Sequence, residues 1–217
     1  MADVTLAPGE AHGHEIEPHH DYAAEETAGA HSTTGLSNNK LAMWLFLGSE
    51  CLLFGGLIST FLLYRNRGVR VGPTVAQLYD IPFTSVSSFV LLMSSLTMVL
   101  ALSATQRGDA TRSRIWLLTT ALLGSSFVAG QVYEFTTFVR EGLGFTTNLQ
   151  SSAFYVLTGF HGAHVTIGIL VLLSLVVMSA RGALPAARAE VVEIAGLYWH
   201  FVDVVWIVIF TVVYLIR

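Results

Sequence analysis

The stretch IAGLYWHFVDVVWIVIFTVVYLI, residues 194–216, decides the fold class. It is 23 residues long and holds one formal charge, Asp203. About 20 apolar residues in a helix cross the hydrocarbon core of a bilayer. Lipid offers no partners to backbone N–H and C=O groups, so a crossing segment of this kind is helical. Four stretches of the same character precede it. Residues 41–64 carry only Glu50, residues 83–105 carry no charge, and residues 115–139 carry only Glu134. Residues 151–180 hold two histidines and no formal charge. The expected architecture is an all-α polytopic membrane protein. Five transmembrane helices form one bundle within a domain spanning 40–217, and the termini lie on opposite sides.

Composition agrees. Of 217 residues, 53% are hydrophobic and 12% are charged, against about 25% charged in a soluble domain. Mean hydropathy is +0.61. These figures exclude an ordinary soluble enzyme, a nucleic-acid binder and a wholly disordered chain. The net charge of −4 is unevenly spread. Residues 1–39 hold seven acids, no Lys or Arg, and five of the eight histidines. Such a segment cannot bury enough apolar surface to offset ordering entropy. It reads as a disordered acidic tail, and not as a signal peptide, because it has neither a basic start nor an apolar core. The pairs His12/His14 and His19/His20 raise metal binding. His-rich tracts are compositional evidence only, so a solvated polar tail is the reading taken. Cys51 is the single cysteine, which leaves no intrachain disulfide and reads as a buried thiol.

The connections are polar, and Pro82 sits where the second helix should begin. With the N-terminus inside, six Lys and Arg lie on the cytoplasmic side and five on the other. The positive-inside rule therefore leans only slightly toward a cytoplasmic N-terminus. Small residues recur four apart at Gly55/Ser59, Gly56/Thr60, Ser125/Ala129, Ser126/Gly130 and Gly159/Ala163. That spacing suits close helix packing inside the bundle.

The polar residues within spans carry the functional question. Glu50 and Asp203 are each the tenth residue of their span, about 14 Å deep by helical rise. His200 lies three positions before Asp203, on the same face. Depth alone groups Glu50, His200 and Asp203. A charge at that depth costs at least about 2.5 kcal/mol, so these groups face protein, pair, or exchange protons. Two readings stand: a proton-exchanging site, or a buried hydrogen-bonded cluster that fixes helix register. Gln131, Glu134, His161 and His164 form a second candidate cluster. Haem or copper ligation enters here, but three span histidines and no cysteine pair are too few for a multi-metal centre.

Local strings then become specific. Leu197-Tyr198-Trp199-His200-Phe201-Val202-Asp203-Val204-Val205-Trp206 closely resembles the last helix of subunit III of the haem–copper terminal oxidases. Thr158-Gly159-Phe160-His161-Gly162-Ala163-His164-Val165-Thr166-Ile167-Gly168 resembles that subunit's penultimate helix. Gly48-Ser49-Glu50-Cys51-Leu52-Leu53-Phe54 and Gln131-x-x-Glu134-Phe135 are similar to two further family segments. The likeness runs from about residue 40 to 217 in the right order.

The resemblance implies a non-catalytic subunit of a proton-pumping oxidase that passes electrons from cytochrome c to O2. Haem and copper then belong to partner subunits, with no cofactor or metal in this chain beyond structural phospholipid. The implied partners are subunit I, the haem–copper catalytic subunit, with subunit II and small subunits. Glu50 corresponds to the family's buried carboxyl on the helix facing subunit I, with a role in supporting proton uptake. The implied location is the bacterial plasma membrane, with the N-terminus cytoplasmic and the C-terminus on the periplasmic side. The five spans correspond to the last five of the seven helices of many members. Alternatives are a quinol oxidase subunit III or an auxiliary subunit of nitric oxide reductase. A stand-alone proton-coupled transporter or channel is the alternative of another class.

Overall fold

The computed structural model describes residues 37–65 and 80–216. The acidic tail reading falls on residues outside these, apart from its last few, as do the histidines within that tail. The chain divides into Met1–Asn38 and Asn39–Arg217, and the second unit is the membrane domain. Five helices in it are long and apolar enough to cross a bilayer. They are α1 (Asn38–Tyr64), α2 (Ile81–Gln106), α3 (Ala110–Arg140), α4 (Leu149–Ala180) and α5 (Ala189–Phe210). A short 3-10 turn, Ala186–Arg188, leads into α5, and a π-helical turn, Thr211–Leu215, ends it. The described residues contain no strand.

Helix ends follow local chemistry. Asp80 accepts from the Phe83 N–H at 3.1 Å, and Pro82 fills the first turn of α2, as its position in the sequence suggested. Asp109 accepts from the Arg112 N–H to open α3. Asn148 and Ser151 form a reciprocal capping box at the start of α4. Gly108 and Gly142 take positive φ just beyond α2 and α3, the left-handed stop that favours glycine. α3 begins five residues before the apolar run and α5 begins five before its own. Polar turns such as Arg112 to Arg114 continue the helix beyond the hydrocarbon.

Helices α2, α3, α4 and α5 close a ring in which each packs against the next and α5 returns to α2. Trp199 of α5 stands at the middle of it. Its indole is 1% exposed, and its Nε1–H donates to Ser94 Oγ of α2 at 2.9 Å. Its ring lies over two glycines. A Cβ on Gly124 of α3 would stand 2.6 Å from the indole, and one on Gly168 of α4 2.8 Å from it. One turn pair further along α5, Trp206 Nε1–H donates to Ser88 Oγ at 2.8 Å.

α1 lies outside the ring, against α4 and α5. Its buried residues are Leu47, Phe54 and Phe61, a seam one side chain wide. Polar groups join it along its length. Lys40 pairs with Glu193 at 2.8 Å, Glu50 with His164 at 3.1 Å, and Arg65 Nη1 donates to Val212 O of the π turn at 3.1 Å.

Two expectations about small residues need correction. Gly55, Gly56 and Gly159 meet open space, so those pairs do not pack helices among the described residues. Cys51 is exposed on α1 and is not a buried thiol. Both errors have one cause. In lipid the outside of a helix is as apolar as the inside, so composition does not reveal which way a face points.

The glycines under Trp199 yield a sign-reversed prediction. Gly→Ala inside a helix normally stabilises by about 1 kcal/mol. Gly124→Ala and Gly168→Ala are expected to destabilise by about 1–3 kcal/mol through overpacking, while Gly159→Ala is neutral or stabilising. Thermal unfolding of the three variants in detergent measures this.

Candidate functional site

Glu50 leaves α1 on the seam face, one turn from Leu47 and from Phe54. Its Oε2 stands 3.1 Å from Nε2 of His164 on α4, and both side chains are mostly buried, at 13% and 14% exposure. The Phe54 ring meets the His164 ring edge-on at 5.1 Å. His164 Nδ1 lies 2.7 Å from Phe160 O. A carbonyl only accepts, so Nδ1 carries a proton. A hydrogen bond across the Nε2–Oε2 contact needs one further proton, on either atom. The pair is neutral overall whether it is imidazolium with carboxylate or imidazole with carboxylic acid. A neutral pair is what a low-dielectric site tolerates. Tyr198 O–H donates to His164 O at 2.9 Å and steadies the same turn of α4.

Asp203 and His200 form a separate site on α5. Ser95 of α2 lies between them. Its hydroxyl donates to Asp203 Oδ2 and lies 3.0 Å from His200 Nδ1. Asp203 is 3% exposed, and its Oδ1 has no hydrogen-bonding partner in the described chain.

Glu134 of α3 accepts from Thr84 Oγ1 of α2 and from Tyr214 O–H beyond α5, each at 3.1 Å. Gln131 Nε2–H donates to Thr158 O of α4 at 2.7 Å. Gln131 and Glu134 also line a small cavity with Thr84, Ser87 and Trp206. His161 is fully buried and bonds to none of these. Its ring stacks on Trp206 at 4.8 Å, with Phe127 and Phe54 edge-on.

The two clusters grouped by depth are therefore repartitioned. Glu50 joins His164, which had been placed with Glu134. His200 and Asp203 join Ser95, and His161 stands alone among aromatic rings. Gln131 and Glu134 stay together. Depth along a span is legible from residue counts, but rotation about the helix axis decides partners. Ser95, Thr84 and Tyr214 were missed. A signal existed in the serines of α2, since Ser87, Ser88, Ser94 and Ser95 fall at span depth. Among the described residues, no three His, Cys, Asp or Glu side chains converge as a metal site.

The described residues form an apolar five-helix membrane domain with separate buried polar contacts at mid-depth. Comparison with known proteins identifies the family. Residues 15–216 match the family described as cytochrome c oxidase subunit III. Cytochrome c oxidase subunit 3 of Bacillus sp. (strain PS3) is 42% identical over 178 residues, covering 82% of this chain and 86% of that protein. Quinol oxidase subunit 3 of Bacillus subtilis (strain 168) is 40% identical over 177 residues, with the same coverage of each. The probable quinol oxidase subunit 3 of Staphylococcus saprophyticus is 40% identical over 178 residues, covering 82% of this chain and 89% of that protein. The chain belongs to the cytochrome c oxidase subunit III family. It is accordingly read as subunit III of a haem–copper oxidase, a multi-pass membrane protein that works in a complex. The stand-alone transporter is not favoured.

Ser95 offers a direct test of the α5 site. Ser95→Ala removes the bonds to both Asp203 and His200, and a stranded buried polar group costs about 1–3 kcal/mol. The variant should unfold at lower denaturant. A double-mutant cycle with Asp203→Asn should be non-additive. Additive effects would show that the two side chains do not interact.

Proposed function

We propose that this chain is the non-redox subunit III of an O2-reducing, proton-pumping oxidase in a bacterial plasma membrane. It lies beside subunit I, the catalytic subunit that holds haem and copper, with subunit II and small subunits completing the complex. The N-terminus is cytoplasmic and the C-terminus lies on the periplasmic side. This chain supplies no catalytic residue and binds no metal; structural phospholipid is its only non-protein component. Electrons enter from cytochrome c. The support for that donor is the Glu at position 50, which resembles the cytochrome c branch, while the named relatives include both cytochrome c and quinol oxidases.

The observation that carries the functional part of this reading is the mostly buried Glu50–His164 contact between α1 and α4. Removing or adding a proton there creates a net charge in the seam between α1 and the ring. Such a pair can relay a proton to a neighbouring chain and then recover it. Glu50→Gln keeps the shape and the hydrogen-bonding capacity but abolishes the carboxyl. The purified complex should contain haem that the isolated chain lacks. In the complex, Glu50→Gln and His164→Phe should lower steady-state oxygen consumption, or shorten the active lifetime during turnover. The loss should grow toward alkaline pH, where bulk protons are scarce. Unchanged turnover and lifetime at every pH would leave the pair as a purely structural tie. Oxygen consumption with reduced cytochrome c against a reduced quinol identifies the donor.

A further inference from the structure

The end of the bundle where α2 turns into α3 carries an open groove of about 390 Å³. Leu100, Arg107, Arg112, Ile115 and Trp116 line it. We propose that this groove is a binding site for an anionic phospholipid, with the phosphate held between Arg107 and Arg112 and the upper acyl chain lying on Leu100, Ile115 and Trp116.

Charge and depth run in step along the groove. Arg107 sits just past the end of α2, and Leu100 lies about 10 Å deeper by helical rise. Arg112, Ile115 and Trp116 share one face of α3, with Trp116 about 6 Å deeper than Arg112. Guanidinium groups thus occupy the mouth, Ile115 and Trp116 the level of the interface, and Leu100 the interior. That order matches a phospholipid read from headgroup to tail.

The arginines have binding capacity left. Arg107 uses Nη1 on Ser103 Oγ at 2.9 Å, and Arg112 uses Nε on Asp109 Oδ2 at 3.3 Å. Most N–H donors of each guanidinium are not engaged in these bonds. Asp109 is the one acid of the turn, set against Arg107, Arg112 and Arg114, so the turn favours an anion. An acidic polypeptide suits the mouth but not the depth, where its backbone groups have no partners. One turn of helix, about 10 Å across and 5.4 Å tall, already has about the volume of the whole groove.

The test uses the purified complex, stripped of lipid in detergent and titrated with phosphatidylglycerol or phosphatidylcholine of identical chains. Native mass spectrometry counts the lipid retained. The wild type should retain phosphatidylglycerol in preference to phosphatidylcholine. The double variant Arg107→Gln, Arg112→Gln should weaken that retention about 30-fold. Leu100→Trp fills the groove and keeps both arginines, and it should weaken retention as well. Equal retention in all three proteins would overturn the proposal. Displacement by inorganic phosphate, with Leu100→Trp unaffected, would mark a free-anion site and overturn it too. So would a photo-crosslinker at position 115 that captures a protein subunit in place of lipid.

Discussion

The membrane domain depends on the seating of Trp199. Helices in lipid gain nothing from hiding apolar surface, because the tails are as apolar as leucine. Close packing and interhelical hydrogen bonds must hold the bundle instead. Trp199 provides both. Its ring fills the space left by two missing Cβ atoms, on Gly124 and Gly168, and its N–H ends on Ser94. Four helices meet in that one side chain. Trp206 repeats the bond with Ser88 and forms the floor on which His161 stacks. Phe54 carries the same aromatic packing outward from His161 to His164 of the candidate site.

The seam of α1 follows a different rule. Its apolar contact is narrow, and its polar ties fall at the start, the middle and the end of the helix. Those at the ends, Lys40–Glu193 and Arg65 with Val212 O, lie toward the membrane surfaces, where water screens an ion pair and its worth is small. Glu50–His164 lies where there is little water to screen it. The central tie is thus more buried than the Lys40–Glu193 pair at the start of the helix. Structural and proton-exchanging readings of Glu50 meet in the same bond.

Much of this was legible in the sequence, and the limits have a physical source. Five spans follow from length and the absence of charge. Pro82 marked the start of α2 because a proline is tolerated there and not deeper. The family strings around His161, His200 and Glu50 were specific enough to name the fold. The partners of those residues were not legible. Residue counts give depth, and depth admits His164 as a partner for Glu50 as readily as His200. Choosing between them needs the rotation of each helix, which in water is read from the apolar stripe. In lipid no such stripe exists. Leu52 at 80% exposure and Phe54 at 2% lie two residues apart and are equally apolar. For the same reason the small-residue spacing pointed to Gly55 and missed Gly124. Spacing finds a smooth face, while Gly124 serves a single ring from a third helix.

The two tryptophans of α5 stand seven residues apart, and the serines that receive them on the antiparallel α2 stand six apart. A tooth and notch matched at two places admit one alignment. If α5 inserted a turn too high or too low, both indole N–H groups would end in hydrocarbon, at several kcal/mol apiece. An immature subunit with its last helix misthreaded is thus set far above the native state in energy. The serine pair of α2 acts as a gauge against which the register of α5 is set.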